Sequence, residues 1–147
     1  MIALDTNLLV YAHRSGVAEH LPAQRAIERA ANSERGWGIS LPVLTEFWAV
    51  VTHPLATARP SSADEAARFV EALTDSGCRV WSPGEGFWLR LARLAVELGI
   101  SGPRIFDLQI GLIASDQGAS EIWTHDRGFA VPPGLRRFDP LEKSSTA

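Results

Sequence analysis

The chain reads Ile2-Ala3-Leu4-Asp5-Thr6-Asn7 at residues 2–7, so that three apolar residues lead directly into three polar ones. The apolar residues predict a short buried strand. Asp, Thr and Asn all favour the start of a helix, because their side chains accept hydrogen bonds from its first backbone N–H groups. This stretch therefore predicts a strand followed at once by a helix, the unit from which parallel α/β sheets are built.

The rest of the chain repeats this alternation. We predict further strands over residues 38–40, 79–81, 121–124 and 135–138, and helices over 7–14, 18–33, 41–52, 63–76, 86–98 and 104–116. Strands that alternate with helices need crossover connections, which imply a mostly parallel sheet covered on both faces. We expect a three-layer α/β/α fold around a sheet of about five strands.

The boundaries of these elements follow from local signals. Ser40 and the pair Ser61-Ser62 are expected to cap the helices that follow them, and residues 54–60 form a loop between two helices. One domain is expected over residues 1–140. The polar residues 141–147 are expected to form a flexible tail.

Composition limits the class of protein. With 147 residues, 46% of them hydrophobic and 21% charged, the chain has the makeup of a globular domain with a substantial core. The single cysteine, Cys78, cannot form an intramolecular disulfide, which favours a structural thiol and a reducing cytoplasm. The first apolar run lacks preceding basic residues, and none reaches the roughly 20 residues of a membrane span. We therefore expect neither a signal peptide nor a membrane segment.

Four acidic residues lie inside or at the end of apolar runs, namely Asp5, Glu46, Asp107 and Asp126. An unpaired carboxylate is costly to remove from water, and no Lys or Arg is placed to pair with all four. A divalent cation would compensate such a cluster, and Mg²⁺ prefers oxygen ligands. The net charge of −3 does not exclude a nucleic-acid substrate. These four carboxylates alone carry more negative charge than the net value, so the rest of the surface is expected to be close to neutral or slightly basic.

Each acidic position also has a purely structural explanation. Asp5 could be only a helix N-cap, and Asp107 could only complement a helix dipole. Glu46 could face water on the less hydrophobic stripe of its helix, and Asp126 could only form a turn. Against this, functional groups gather where parallel strands end, and Asp5 and Asp126 both follow predicted strands.

Neighbouring residues refine the set. Gly111 and Ala114 share a helix face with Asp107, and such a small-residue face would let the helix press Asp107 against a neighbouring element. Asp116 is about half a turn out of phase with Asp107, at ~100° per residue, and is excluded as a ligand. His125 is expected to point away from Thr124 and Asp126 and to be structural.

The order of these motifs, strand-Asp-Thr-Asn, helix-Glu, helix-Asp and strand-Thr-x-Asp, resembles that of the PIN-domain ribonucleases. It is most similar to the VapC-type toxins of bacterial and archaeal toxin–antitoxin pairs. The resemblance covers nearly the whole chain, from residues 2–7 to Thr124-His125-Asp126-Arg127-Gly128-Phe129. It implies that Asp5, Glu46 and Asp107 form an acidic triad, with Asp126 as the fourth carboxylate.

The resemblance also implies supporting groups, a cofactor and partners. Thr6 and Thr124 match hydroxyl positions that support the site, and Asn7 is expected to support it through its amide. The implied activity is Mg²⁺- or Mn²⁺-dependent hydrolysis of RNA phosphodiester bonds by a cytoplasmic homodimer. A cognate VapB-like antitoxin is implied, typically one that places a basic side chain in the acidic pocket. Many relatives carry an acidic residue where this chain has Gly128, a departure that would weaken a second metal site.

Contacts with the substrate and alternative functions follow from the residues. Arg104 and Arg127, with Arg136 and Arg137, could hold RNA phosphates. One alternative is a non-catalytic PIN-fold module that binds RNA or protein, although such a module has no need of four carboxylates. The other is a metal-dependent phosphohydrolase of a different class. That class needs an aspartate nucleophile with a second Asp two residues on, where this chain has Asn7.

Overall fold

The computed structural model describes residues 1–56 and 59–143, in which five strands form one sheet flanked by six helices. The strands are β1 (Ile2–Leu4), β2 (Trp37–Ser40), β3 (Arg79–Trp81), β4 (Glu121–Trp123) and β5 (Arg136–Phe138). The helices are α1 (Thr6–His13), α2 (His20–Ala31), α3 (Leu41–Val51), α4 (Ala63–Asp75), α5 (Phe87–Leu98) and α6 (Arg104–Asp116). Part of the predicted loop at 54–60 and of the predicted tail at 141–147 lies outside the described residues.

The sheet has the order β3-β2-β1-β4-β5, and all of its pairs are parallel. Strand β1 lies in the middle, with Leu4 opposite Trp123 of β4. The backbone N–H of Asp5 donates to the carbonyl oxygen of Trp123 at 3.0 Å, which extends this pairing by one residue. The residues that follow β1 and β4 therefore emerge side by side at one edge of the sheet.

Both faces of the sheet are covered. Every residue of β1, β2 and β4 is buried, although successive side chains of a strand point to opposite faces. Full burial on both sides requires helices on both sides. The expected three-layer α/β/α architecture is confirmed.

Most predicted boundaries agree with the structure to within two residues. The predicted cap at Ser40 is wrong: this residue occupies the N-cap position of α3, but its side chain makes no capping hydrogen bond. Its hydroxyl donates instead to the carbonyl oxygen of Ile110 in α6, at 2.8 Å. Pro42, in the first turn of α3, lacks the N–H that a capping hydroxyl would meet there. Ser62, by contrast, forms the predicted cap, in a reciprocal capping box with Glu65.

No helix in the two described ranges combines the length and the apolar character that crossing a bilayer requires.

Candidate active site

Asp5, Glu46, Asp107 and Asp126 all line one cavity of about 290 Å³. They come, in that order, from the end of β1, the middle of α3, the first turn of α6 and the loop after β4. The cavity lies where β1 and β4 end, as expected for functional groups in a parallel sheet. Its other lining residues are Thr6, Asn7, Val10, Tyr11 and Val50.

Asp5 is the most buried of the four carboxylates, with 7% of its surface exposed. One oxygen accepts a hydrogen bond from the N–H of Thr6 at 2.7 Å, so the residue does cap α1. The other accepts from the hydroxyl of Thr124, also at 2.7 Å. Burial nevertheless raises the pKa of Asp5 to about 6, against the lowering effect of both hydrogen bonds, and the nearby charges of Asp107 and Glu46 raise it further. The cap therefore explains only part of this residue's environment.

Thr124 connects the supporting residues. It is fully buried, and its hydroxyl donates to Asp5 while accepting from the side-chain amide of Asn7 at 3.2 Å and from the backbone N–H of Asp126 at 3.0 Å. The amide oxygen of Asn7 accepts in turn from the N–H of His125 at 3.3 Å. The two polar turns that follow β1 and β4 are thus joined by one set of hydrogen bonds.

The hydroxyl of Thr6, unlike that of Thr124, is buried outside this set of hydrogen bonds. Its side chain is only 4% exposed, and its hydroxyl makes no well-aligned hydrogen bond among the described residues, although it approaches the carboxylate of Glu46. Glu46 is exposed, yet partial burial of its carboxylate raises its pKa, the Thr6 hydroxyl lowers it, and the charge of Asp107 raises it. A buried hydroxyl without a partner normally bonds to a water or a ligand. The Thr6 hydroxyl therefore lies beside Glu46 at the cavity without a strong hydrogen bond of its own.

Asp107 is half-buried beside the segment that follows β4. Its pKa is raised by burial and by the charge of Asp126, and lowered by the backbone N–H of Ala130 and by Arg104. On the same face of α6, a Cβ added at Gly111 would lie 2.7 Å from Cδ of Pro132. The helix and this segment are therefore in close contact, as the small-residue face predicts.

Asp126 is exposed, and it both forms a turn and lines the cavity. One carboxylate oxygen accepts from the N–H of Gly128 at 2.8 Å, so it does form the turn that a structural explanation requires. It also lines the cavity, and its charge acts on Asp107. Asp116, which the sequence excludes, forms a two-pronged ion pair with Arg90 at 2.7 and 2.8 Å and does not line the cavity.

The arginines differ in their availability. Arg104 is close enough to Asp107 to lower its pKa, whereas Arg127 forms an ion pair with Glu142 at 3.3 Å. Arg137 donates to the backbone oxygen of Asp126 at 3.4 Å. Arg136 is paired with Glu121 at 2.6 Å.

Two residues at the cavity were missed by reasoning from the sequence. Tyr11 lies one helical turn after Asn7 on α1, and that spacing of four residues could have identified it. Arg14 donates to the carbonyl oxygen of Val50, a residue that lines the cavity, at 3.1 Å. No local pattern indicates Arg14, because only the packing of α1 against α3 places it there.

The side chains of the cavity suit a hard cation. In the described residues, no group of three or more His, Cys, Asp or Glu side chains is arranged to hold a metal by itself. Mg²⁺, however, usually keeps several waters and takes only one or two carboxylates from the protein. The four carboxylates and the Thr6 hydroxyl supply only oxygen atoms. A hydrated Mg²⁺ therefore fits this cavity better than an ion enclosed by side chains.

Comparison with known proteins gives a consistent result. Residues 2–135 match the family model described as PIN domain. Ribonuclease VapC43 of Mycobacterium tuberculosis is 34% identical over 143 residues, which cover 97% of this chain and 97% of that protein.

Two solved structures share the fold. VapC20 of Mycobacterium tuberculosis, described as a Sarcin-Ricin loop cleaving toxin, has a TM-score of 0.67 at 17% identity, covering 88% of this chain and 92% of its own. VapBC2 from Rickettsia felis, bound to a DNA fragment from its promoter, has a TM-score of 0.63 at 20% identity, covering 95% and 98%.

Proposed function

The chain belongs to the PIN-domain family, and from that premise we propose that it is a metal-dependent ribonuclease and the toxin of a type II toxin–antitoxin pair. Relatives of similar length that are named VapC ribonucleases support the ribonuclease activity and the toxin role. The observation that carries the metal dependence is the convergence of Asp5, Glu46, Asp107 and Asp126 on one cavity.

In this proposal Asp5, Glu46, Asp107 and Asp126 would hold a hydrated Mg²⁺, one or two of them directly and the others through its waters, and Mn²⁺ is an acceptable substitute. When bound, the ion polarises the scissile phosphate and lowers the pKa of a coordinated water. The protein fixes the carboxylate of Asp5 through Thr124 and the N–H of Thr6. The Thr6 hydroxyl supplies a hydrogen-bonding group beside Glu46, the carboxylate that we assign to accept a proton from an attacking water.

The alternative of a phosphohydrolase with an aspartate nucleophile is disfavoured by Asn7. Both ends of its amide are engaged, the nitrogen with the Thr124 hydroxyl and the oxygen with the N–H of His125. Asn7 therefore acts as a structural connector and is not available to assist a nucleophile two residues away. A non-catalytic module, for its part, gives no reason to gather four carboxylates at one cavity.

RNA and an antitoxin are the expected partners. We expect Arg14, Arg104 and Arg137 to contact RNA phosphates, because they lie at or beside the cavity. Arg127 is a weaker candidate, since Glu142 already pairs with it. A cognate antitoxin, which the VapBC2 neighbour supports, would place a basic side chain among the carboxylates. We expect this activity to take place in the cytoplasm.

A homodimer is also proposed, and its surface is suggested by exposed apolar side chains. On α5, Trp88, Leu89 and Val96 are 67%, 62% and 82% exposed, and Phe106 at the start of α6 is 59% exposed. A patch of large exposed apolar side chains is typical of protein–protein contact surfaces. Contact through this patch between two copies would bury it.

The test is an RNA cleavage assay with purified full-length protein and bacterial total RNA, run with Mg²⁺ and with EDTA. Wild type should cleave only with Mg²⁺, and Asp107→Asn should be inactive while its circular dichroism is unchanged. Asp116→Asn is the matched control, because it changes the same residue type on the same helix outside the cavity. It should keep its activity. Cleavage by Asp107→Asn at the wild-type rate would overturn the proposal.

A further inference from the structure

The loop that carries Asp126 is held by the end of the chain. Each of residues 125–127 contacts a residue in the segment 137–142, which we call the C-terminal clamp. The three contacts are His125 Nδ1 to Asp139 Oδ2 at 2.8 Å, the Asp126 carbonyl oxygen to the Arg137 guanidinium at 3.4 Å, and the Arg127 guanidinium to Glu142 at 3.3 Å.

These three contacts are not equivalent. Arg127 and Glu142 are 81% and 60% exposed, and an exposed ion pair stabilises little. The side chain of Asp139, in contrast, is only 5% exposed. Its second oxygen accepts a hydrogen bond from the backbone N–H of Leu141 at 2.9 Å. This bond fixes the orientation of the carboxylate independently of its contact with His125. Of the three contacts, the one made by Asp139 is therefore expected to contribute most to holding the loop.

His125 connects Asp139 to Asp126, the next residue in the chain. Its ring bonds to Asp139, its backbone N–H donates to Asn7, and the ring packs edge-on against Tyr11 with centroids 6.1 Å apart. Because a carboxylate only accepts hydrogen bonds, Nδ1 of His125 is the donor toward Asp139. Asp126 follows directly in the chain and is itself exposed, so burial does not fix its position.

We propose that Asp139 is a positioning residue that, through His125, holds the loop so that the Asp126 carboxylate faces Asp107 across the cavity. Asp139 lies beyond residues 2–135, the region that the family model matches. Hydrogen bonds that hold a metal ligand in place from behind orient it toward the ion, and their loss typically lowers metal affinity. The inference rests on the proposed metal-dependent activity for its functional part, and on geometry alone for its structural part.

The structural part is tested in metal-free protein by hydrogen exchange. Asp139→Ala and His125→Ala should both speed exchange of the backbone amides of residues 126–128, including the Gly128 N–H that bonds to the Asp126 carboxylate. Asp116→Ala is the matched control, because it removes an ion pair of similar length elsewhere. It should leave these amides unchanged. Wild-type exchange in both clamp variants would overturn the proposal.

The functional part is tested by isothermal titration of the full chain with Mn²⁺. Asp139→Ala and His125→Ala should each weaken Mn²⁺ binding about tenfold, and the double variant should be no weaker than either, because both remove one contact. His125→Asn, whose amide nitrogen can replace Nδ1, should restore the affinity. Excess Mn²⁺ should rescue RNA cleavage by the Ala variants. Because metal binding also stabilises a folded protein, urea unfolding of the metal-free variants is what separates this effect from a general loss of stability.

Failure of this inference and failure of the proposed function give different results. If wild type neither binds Mn²⁺ nor cleaves RNA, the proposed function is wrong, and hydrogen exchange still decides whether Asp139 orders the loop. If wild type does both, and the Asp139→Ala and His125→Ala variants bind Mn²⁺ as tightly, the positioning role is wrong.

Discussion

The hydroxyl of Thr124 lies 2.7 Å from the carboxylate of Asp5, although the two residues are 119 positions apart in the chain. The contact exists because β4 pairs with β1 in parallel and both strands end at the same edge. The Thr124 hydroxyl also accepts from the N–H of Asp126, so it links the most buried carboxylate of the cavity, Asp5, to the loop that carries the Asp126 carboxylate.

Asp5→Asn should stabilise the metal-free protein near neutral pH. Because the pKa of Asp5 is raised from 3.8 to about 6 on folding, the folded state binds more protons than the unfolded state between these values. The stability associated with Asp5 is therefore complete below about pH 4 and is lost as the pH rises through 6. Replacing this ionisable carboxyl by a neutral amide should raise the free energy of unfolding by about 3 kcal/mol at pH 7.

Urea unfolding between pH 4 and 8 in the presence of EDTA would measure this difference. Asp75→Asn, an exposed aspartate on α4, is the control and should keep the wild-type decline with pH. An equal decline in Asp5→Asn would show that the buried carboxylate is not its source.

Thr124→Val should destabilise the protein by about 2 kcal/mol, because it keeps the shape of a fully buried side chain but leaves Asn7 and the N–H of Asp126 without their acceptor. It should also raise the pKa of Asp5 further, since the lost hydrogen bond lowers that pKa. Thr124→Ser keeps the hydroxyl and is the control. Equal unfolding free energies for the Val and Ser variants would contradict the role assigned to the hydroxyl.

Gly111→Ala should lower both stability and cleavage. The new Cβ would meet Cδ of Pro132 at 2.7 Å and Cδ2 of Leu135 at 3.3 Å, so α6 and the segment after β4 must move apart. Overpacking of this kind costs about 1–3 kcal/mol. The separation would also draw Asp107 away from Asp126.

Gly84→Ala is the matched control for Gly111→Ala, because a Cβ at Gly84 meets nothing within 4 Å. Thermal unfolding and the rate of RNA cleavage should change in the Gly111 variant only. An unaffected cleavage rate in a clearly destabilised Gly111→Ala would mean that this packing does not set the spacing of the two carboxylates.

Arg14→Ala should weaken RNA binding without changing the fold. Its guanidinium is fixed on the carbonyl oxygen of Val50 at the cavity, where it can meet a phosphate of the bound strand. The logarithmic dependence of affinity on salt should lose about one unit of slope, as expected for one phosphate contact. The control is Arg25→Ala, an exposed arginine on α2, and the measurement is binding of RNA to an Asp107→Asn background.

The sequence alone predicted the sheet and the edge at which the carboxylates meet, because apolar runs and their spacing fix the strands. Asp5 and Asp126 follow two of those runs, and parallel pairing brings strand ends together whatever the details of packing. The orientation of Asp107 was also predictable, since Gly111 and Ala114 mark a closely packed face.

The remaining features depend on contacts between distant elements. The bond from Ser40 to the Ile110 carbonyl, and the placement of Arg14 beside Val50, arise only after α3 packs against its neighbours. Asp139 gave no signal either, because a single Asp before a proline reads as an ordinary turn residue. The catalytic roles of Asp5, Glu46, Asp107 and Asp126 stay predictions until the variants are assayed.

The insertion of β4 beside β1 has a consequence for synthesis of the protein. A ribosome makes β1 well before its neighbour β4 and the loop with Asp126. Domains fold as units, and pairing of strands far apart in sequence must wait for the later strand. A nascent chain therefore lacks a complete cavity until β4 and this loop have left the ribosome, which delays any attack on RNA until that point.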